Sequence, residues 1–225
     1  MIGPGCLPLV LFLILLLLLP VVFGQVLTTA LLKLHLDAAT SLGLALAIIV
    51  GSSINLPVKR IVHAEEVVVH PLAVFGLPWL WPSLRRVRRE TVIAVNVGGC
   101  VVPTALAVYE TAHVASEGWV VAGALIVAVL ISVVVCYWIA KPVKGIGIAM
   151  PGLVPPLVAV TAAMVLAPEQ RVPVAFVAGV LGPLIGADLL HLRDISRIAT
   201  GVASIGGAGT FDGIVLSGIV AAYLA

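Results

Sequence analysis

Charge is the scarcest property of this chain. Its 225 residues hold 12 Lys and Arg and 10 Asp and Glu, only 10% charged, while 62% are hydrophobic and the mean hydropathy is +1.26. A soluble domain carries about 25% charged and about 45–50% apolar residues. There is too little polar surface here to clothe a water-soluble globule. A net charge of +2 is too small to build a nucleic-acid surface, so no nucleic-acid partner is expected. Cysteine is also sparse: Cys6, Cys100 and Cys136 each lie in an apolar stretch without metal-type spacing, which reads as buried thiols. None of the five histidines forms an HExxH pair, and no metal or other cofactor is implied. No internal repeat suggests a two-halved transporter. The length suits one domain over 1–225.

Long hydrophobic runs, in contrast, are abundant. About 20 apolar residues cross the hydrocarbon core as a helix. Stretches at 6–23, 38–57, 92–113, 118–139, 145–167, 172–191 and 205–225 qualify or nearly qualify. The expected fold is an all-α integral membrane protein of about seven transmembrane helices, multi-pass in the cell membrane, with lipids as partners. The first run lacks the positive n-region of a secretory signal and outlasts the usual apolar core, so it is read as a retained helix; a cleaved signal would shift the count by one. An amphipathic bridge, Gln25 to Asp37, follows it. Segment 58–91 is the one sizeable extramembrane piece. Its EEVVVHPLAVFG run (65–76) and TVIAVNVGG (91–99) are rich in β-branched residues and are expected to pair as a hairpin. The PWLWP run at 78–82 sets two tryptophans beside Arg85, Arg86, Arg88 and Arg89, as suits the headgroup level.

Lys and Arg are asymmetrically placed. Loops after the second, fourth and sixth helices carry six (58–91), two (Lys141, Lys144) and two (Arg193, Arg197). The other loops carry only Lys33 and Arg171. The positive-inside rule makes the first set cytoplasmic, with the N-terminus inside and the C-terminus outside.

Ionisable residues inside membrane helices are costly, about 2.5–3.5 kcal/mol each, and are functional candidates by default. Asp188 and Asp212 stand out; Glu110, near the end of the third helix, can reach water. The sixth and seventh helices are joined by a short loop and are expected to be antiparallel neighbours, bringing both aspartates to similar depth near the cytoplasmic face. Two close carboxylates share one proton, the state needed by an acid–base pair attacking an amide with water. Gly182, Gly186, Gly206, Gly207, Gly209 and Gly213 remove bulk around both. The plainer reading makes these glycines helix-packing surfaces, Asp188 an interfacial residue, and Asp212 the cap of a helix starting at Gly213, with 205–211 as loop. Asp188 and His191, three apart, are with Asp212 an incomplete metal set, so His191 is read as interfacial. Pro151, Pro155 and Pro156 must break the fifth helix. With Asn55, Pro57, Asn96, Gly98 and Gly99, they suggest a polar cavity on the cytoplasmic side.

Taken together, GSSINLPV (51–58), TVIAVNVGG (91–99), KGIGIAMPGLVPPLVA (144–159), LIGADLLHL (184–192) and SIGGAGTFDGIVL (204–216) resemble a family of prokaryotic polytopic membrane proteins known only as a domain of unknown function. That resemblance implies a shared membrane fold and no activity. A more distant one is to the intramembrane aspartyl proteases, the presenilin and signal-peptide-peptidase group. Those carry one aspartate on a sixth helix, one in a Gly-x-Gly-Asp motif on a seventh, and a nearby Pro-Ala-Leu. Asp188, the Gly207-Ala-Gly209-Thr-Phe-Asp212 run and Pro151-Gly152-Leu153 are the matching positions. Here Asp212 follows the second glycine by three residues instead of one, and Pro151-Gly152-Leu153 precedes both aspartates.

Three functions are expected to compete. The first is an intramembrane aspartyl protease with Asp188 and Asp212 as the dyad. Gly206, Gly207 and Gly209 would then form the approach for a transmembrane peptide substrate, and Pro151, Gly152 and Leu153 would shape the site. The second is a proton-coupled transporter or channel with the same aspartates as carriers. The third is a membrane scaffold holding a partner or anionic lipid through 58–91.

Overall fold

A computed structural model describes residues 6–34, 36–62, 66–67, 86–87, 90–143, 147–194 and 201–225. The chain is mostly helical. α1 runs from Cys6 to Lys33 and α2 from Ala38 to Gly51. Strands β1 (Asn55–Val62), β2 (Glu66–Val67), β3 (Arg86–Val87) and β4 (Glu90–Asn96) follow. A π-helical turn, Val97–Val101, leads into α3 (Val102–Ser116), and α4 is Trp119–Ile139. A short hairpin, β5 (Lys141–Val143) with β6 (Gly147–Ala149), precedes α5 (Val154–Leu166). α6 (Arg171–Leu181) continues into a second π-helical segment, Gly182–Leu189. β7 (Val202–Ile205) and a glycine-rich turn lead to α7 (Gly213–Leu224).

The first surprise is at the N-terminus. α1 is continuous through the expected bridge, and that bridge is the half that packs: Leu27, Ala30, Leu31 and Leu34 are buried, while Phe12, Ile14 and Leu18 are exposed. One turn spaces these buried positions along one stripe. α2 then starts at Asp37, whose carboxylate accepts the amides of Ala39 and Thr40 and the Thr40 hydroxyl. The Thr40 hydroxyl and amide hold this exposed carboxyl below its usual range.

The second concerns the strands. The helix expected over 38–57 ends at Gly51, and residues from Asn55 form an antiparallel pair with β4, from Asn55↔Asn96 to Val62↔Glu90. The third helix accordingly loses its expected first turns, 92–96, to β4. Thr, Val and Ile favour the pleated surface, and Pro57 is tolerated because β1 is an edge strand. β7 joins β4 in parallel, giving the order β1-β4-β7. The expected partner of TVIAVNVGG was therefore misplaced: β4 pairs with 55–62 and with 202–205, and within 65–76 only Glu66–Val67 is described, paired with Arg86–Val87. The PWLWP run lies outside the described residues.

α6 is the central helix. Every residue from Pro173 to Val180 is buried, and α3, α4, α5 and α7 pack around it. Small residues let these backbones approach. A Cβ on Gly179 would meet the Ser217 carbonyl of α7, and one on Gly182 or Gly186 would collide with Ser132 or the Val133 carbonyl of α4. Among the described residues, two helices are long and apolar enough to cross a membrane: Trp119–Ile139, with 28% of its apolar window buried, and Pro168–Asp194, with 72% buried. At one end of the bundle Lys33 Nζ donates to the Tyr223 carbonyl (2.6 Å) and Arg171 Nε to the Ala225 carbonyl (2.5 Å). These cations meet the carbonyl end of α7, where the helix dipole favours them. The three-stranded sheet lies at the other end.

The tightest approaches occur beside that sheet. A Cβ on Gly98 would run into the Ile48 carbonyl, and one on Gly99 into the Gly206 carbonyl, both backbone and unable to swing away. Gly99→Ala is expected to cost about 3 kcal/mol, at the upper end for overpacking. Gly123→Ala, in open space on α4, is expected to be neutral or to stabilise by about 0.5–1 kcal/mol. Thermal unfolding of the detergent-solubilised variants measures both; equal midpoints would contradict the close approach.

Candidate functional site

The polar groups of the sheet end converge on Asn96, which is completely buried. Its Oδ1 accepts the Gly99 amide (2.7 Å), capping the π-helical turn. Its Nδ2 donates to the Ser52 carbonyl (2.8 Å) and to Asn55 Oδ1 (3.2 Å). One carboxamide thus ties the end of α2, the start of β1 and the end of β4. Asn55 Oδ1 also accepts the Ser204 hydroxyl (2.6 Å), bringing in β7. The Ser52 hydroxyl lies 2.6 Å from the Ile48 carbonyl and 2.7 Å from Thr210 Oγ1. These bonds close a polar ring around the glycine contacts.

Thr210 belongs to the β7–α7 turn. Gly206 (φ 71°) and Gly209 (φ 62°) adopt the left-handed region, which side chains rarely tolerate. Gly209 amide donates to Gly206 carbonyl (2.8 Å), and Asp212 amide to Gly209 carbonyl (3.0 Å). Residues expected to begin the seventh helix at 205 therefore form a strand end and a turn. Phe211 in this turn rests on Phe23 of α1, ring centroids 5.1 Å apart.

Asp212 is the N-cap of α7. Its Oδ1 accepts the Ile214 amide (3.0 Å) and its Oδ2 the Ala208 amide (3.3 Å). It is not seven residues inside a helix, as the apolar pattern suggested; the plainer reading of a cap with 205–211 as loop is the one observed. Asp188 is half-buried in the second π-helical segment, one residue before its end. That segment packs against α7, whose N-cap is Asp212. Cys100 is buried in the first π-helical turn. The two acids thus lie on packed neighbouring segments, each in a different local setting.

The remaining candidates divide. Gly206 and Gly209 make the turn and touch Gly99, Cys100 and Ser52; Gly207 is crowded by Ser204. Gly182 and Gly186 pack against α4, the packing role. Pro151, Gly152 and Leu153 form an exposed turn between β6 and α5, and their neighbour Met150 reaches Gly213 at the start of α7. His191 is buried, not interfacial: its Nδ1 lies 3.1 and 3.0 Å from the Gly186 and Ala187 carbonyls, and its ring rests on Tyr137. Carbonyls only accept, so Nδ1 carries a proton; the ring closes the second π-helical segment. Glu110 is also buried, not near water: it is 1% exposed, and its Oε1 has no hydrogen-bond partner among the described residues. It shares the inward stripe of α3 with Pro103, Leu106, Ala107 and Val114. Ser52, Ser204 and Thr210 were passed over in the sequence, where small polar residues among glycines read only as turn formers.

The chain belongs to the family described as a protein of unknown function (DUF1614), which matches residues 49–224. The match takes in the sheet, both π-helical segments and the glycine-rich turn. No curated protein and no solved structure matches the chain.

Removing the central carboxamide tests whether it holds this end together. Asn96→Leu strands the Gly99 amide and the Ser52 carbonyl, each buried group costing about 1–3 kcal/mol without a partner. A fall of several degrees in thermal midpoint is expected, with Asn96→Asp intermediate because it keeps the acceptor for Gly99. A leucine variant as stable as the parent would refute the clamp.

Proposed function

We propose that this member of the family is a multi-pass integral membrane protein whose Asp188 and Asp212 form an acid–base pair, acting as an intramembrane aspartyl endopeptidase. The observation that carries the reading is that Asp188 and Asp212, both half-buried, lie on two segments packed against each other, beside the turn that starts α7. Neither resemblance supplies this; the family match brings no activity with it.

The membrane reading is supported by α4. Trp119 and Trp138 are 86% and 78% exposed, and the nineteen-residue step from one to the other spans about 28 Å at 1.5 Å per residue. Tryptophans favour the two interfaces of a hydrocarbon core about 30 Å thick. Between them Val120, Ile126 and Leu130 are exposed, the inverse of a soluble core helix. Lys59, Arg60, Lys141 and Arg193 lie toward the sheet end, against Lys33 and Arg171 at the other. This favours a cytoplasmic sheet end, an N-terminus inside and a C-terminus outside.

For hydrolysis one carboxylate must take a proton from water while the other donates one to the amide oxygen. Asp212 accepts two amide hydrogen bonds, so it is the better holder of negative charge and is assigned the base. Asp188 is assigned the acid. Collapse of the tetrahedral intermediate then breaks the C–N bond, with a proton passing to the leaving amine. The substrate is a transmembrane peptide that must be locally unwound, since a helix hides its amides.

The test uses the full chain in liposomes with a single-span model peptide. Asn caps helices as well as Asp does, so Asp212→Asn keeps α7 in place while removing the base. Asp188→Asn and Asp212→Asn are each expected to lower cleavage at least a hundredfold with unchanged thermal midpoints. The pH–rate profile should be bell-shaped. Parent-like cleavage by either variant, or none by the parent, would sink the reading.

Glu110 favours a second reading, proton-coupled transport. A buried carboxyl with an unpartnered oxygen is best kept as the neutral acid, which suits a proton carrier in the membrane. On that reading, liposomes carrying the chain should show proton uptake that Glu110→Gln abolishes and Asp188→Asn slows. Uptake indifferent to Glu110→Gln would exclude it.

A further inference from the structure

A pocket of about 330 Å³ opens on the face of the sheet, lined by Lys59, Ile61, Ile93, Leu192 and Arg193. We propose that it binds the phosphate-bearing headgroup of an anionic lipid, with Lys59 and Arg193 as the phosphate ligands. This rests on the membrane reading above and not on the acid pair.

The sheet register builds the site. Lys59 pairs with Ile93 across β1 and β4, and Ile61, two residues along, shares the face of Lys59 because side chains alternate. Leu192 and Arg193 arrive from the far side, just beyond the second π-helical segment. Two cations 134 positions apart in sequence thus frame one cavity with an aliphatic floor. Arg193 and the adjacent Asp194 are already engaged within the chain. A guanidinium has five donors in a planar fork, so an internal contact leaves capacity for a phosphate oxygen.

The floor selects the source of the phosphate. Inorganic phosphate gains nothing from Ile61, Ile93 and Leu192, and would have to shed water against them. A lipid carries its phosphate on a glycerol and two acyl chains, which such a floor accommodates while the cations hold the charge. The volume lies at the small end of ligand sites, suited to a headgroup and too small for a whole lipid. The site also lies at the sheet end, where Arg60 and Lys141 add to a positive field that attracts an anionic leaflet.

The experiment uses the full chain purified in neutral maltoside micelles and titrated with short-chain phosphatidylglycerol. Short-chain phosphatidylcholine and inorganic phosphate are titrated in parallel, and binding is read from the shift in thermal midpoint. Saturable stabilisation by phosphatidylglycerol alone is expected. Lys59→Gln and Arg193→Gln should each weaken it about fivefold, the ratio equivalent to about 1 kcal/mol per basic residue. Lys33→Gln, at the opposite end of the bundle, should leave it unchanged. Lys59 is exposed, so its variant stays interpretable if Arg193→Gln fails to fold. Equal stabilisation by inorganic phosphate, or an unchanged response in Lys59→Gln, overturns the proposal. Reconstitution into pure phosphatidylcholine vesicles separates the two claims. A chain that fails to incorporate defeats the membrane reading, whereas one that incorporates without preferring phosphatidylglycerol defeats only the pocket.

Discussion

The carboxamide of Asn96 has four hydrogen-bonding positions and uses three of them on groups that no regular element satisfies. Each of these groups lies where a chain changes from helix to strand or from strand to helix. A helix end leaves orphan donors and acceptors, and water that might satisfy them is excluded here. Asn96 supplies them from inside. The backbones can close around it only because Gly51, Gly98, Gly99, Gly206 and Gly209 present no side chains at their points of contact. The two devices need each other: without the glycines the strands could not reach the end of α2, and without the carboxamide the contact would bury unpaired polar groups.

This arrangement explains how a small sheet comes to sit at one end of a helical bundle. β4 and β7 are parallel, and each leads through a glycine-rich turn into a helix. Gly99 of the first turn touches Gly206 of the second, so the starts of α3 and α7 are fixed relative to one another. Asp212 then caps α7 at a defined place, and the second π-helical segment, which carries Asp188, packs on α7. The position of both acids follows from the sheet, although neither touches Asn96.

How much of this the sequence disclosed depends on what kind of signal each element carries. α4 was legible to within one residue, because an uninterrupted apolar run bounded by Gly118 and Lys141 has one sensible reading. The break at Pro151 was legible because proline cannot continue a helix. β1 was not: NLPVKRIV follows an apolar helix directly, and hydropathy does not distinguish a strand from a helix end. β7 is only four residues long and is defined by its partner β4 rather than by its own pattern. The glycines of 204–213 were noticed but assigned to helix packing or substrate approach, since a left-handed turn and a packing stripe share one composition. Gly182 and Gly186 are four apart, but so are Gly209 and Gly213, so spacing alone did not separate the two roles. Glu110 was placed near water because it lies three residues from the end of the helix expected over 92–113; the stripe of Leu106, Ala107 and Val114 on its own face argued for the interior.

Asp212 shows why a structural role and a chemical one need not compete. A carboxylate offers about four lone-pair sites, and the amides of Ala208 and Ile214 occupy one on each oxygen. Those bonds fix the plane of the group without exhausting it. A general base gains from such fixing, because it no longer loses orientational freedom when water and substrate arrive. The cap also ties the carboxylate to α7 itself, so any movement of that helix moves the carboxylate. Asp188 is held differently, in a π-helical segment whose widened turn frees backbone carbonyls; two of these lie within hydrogen-bonding distance of His191. π-helical turns are unfavourable relative to α-helix and persist where the surroundings compensate for them. Here the compensation is a buried imidazole stacked on Tyr137 of α4. One acid is thus anchored by the start of a helix and the other by the closure of a strained one. The sheet end of the bundle is where those two local solutions meet.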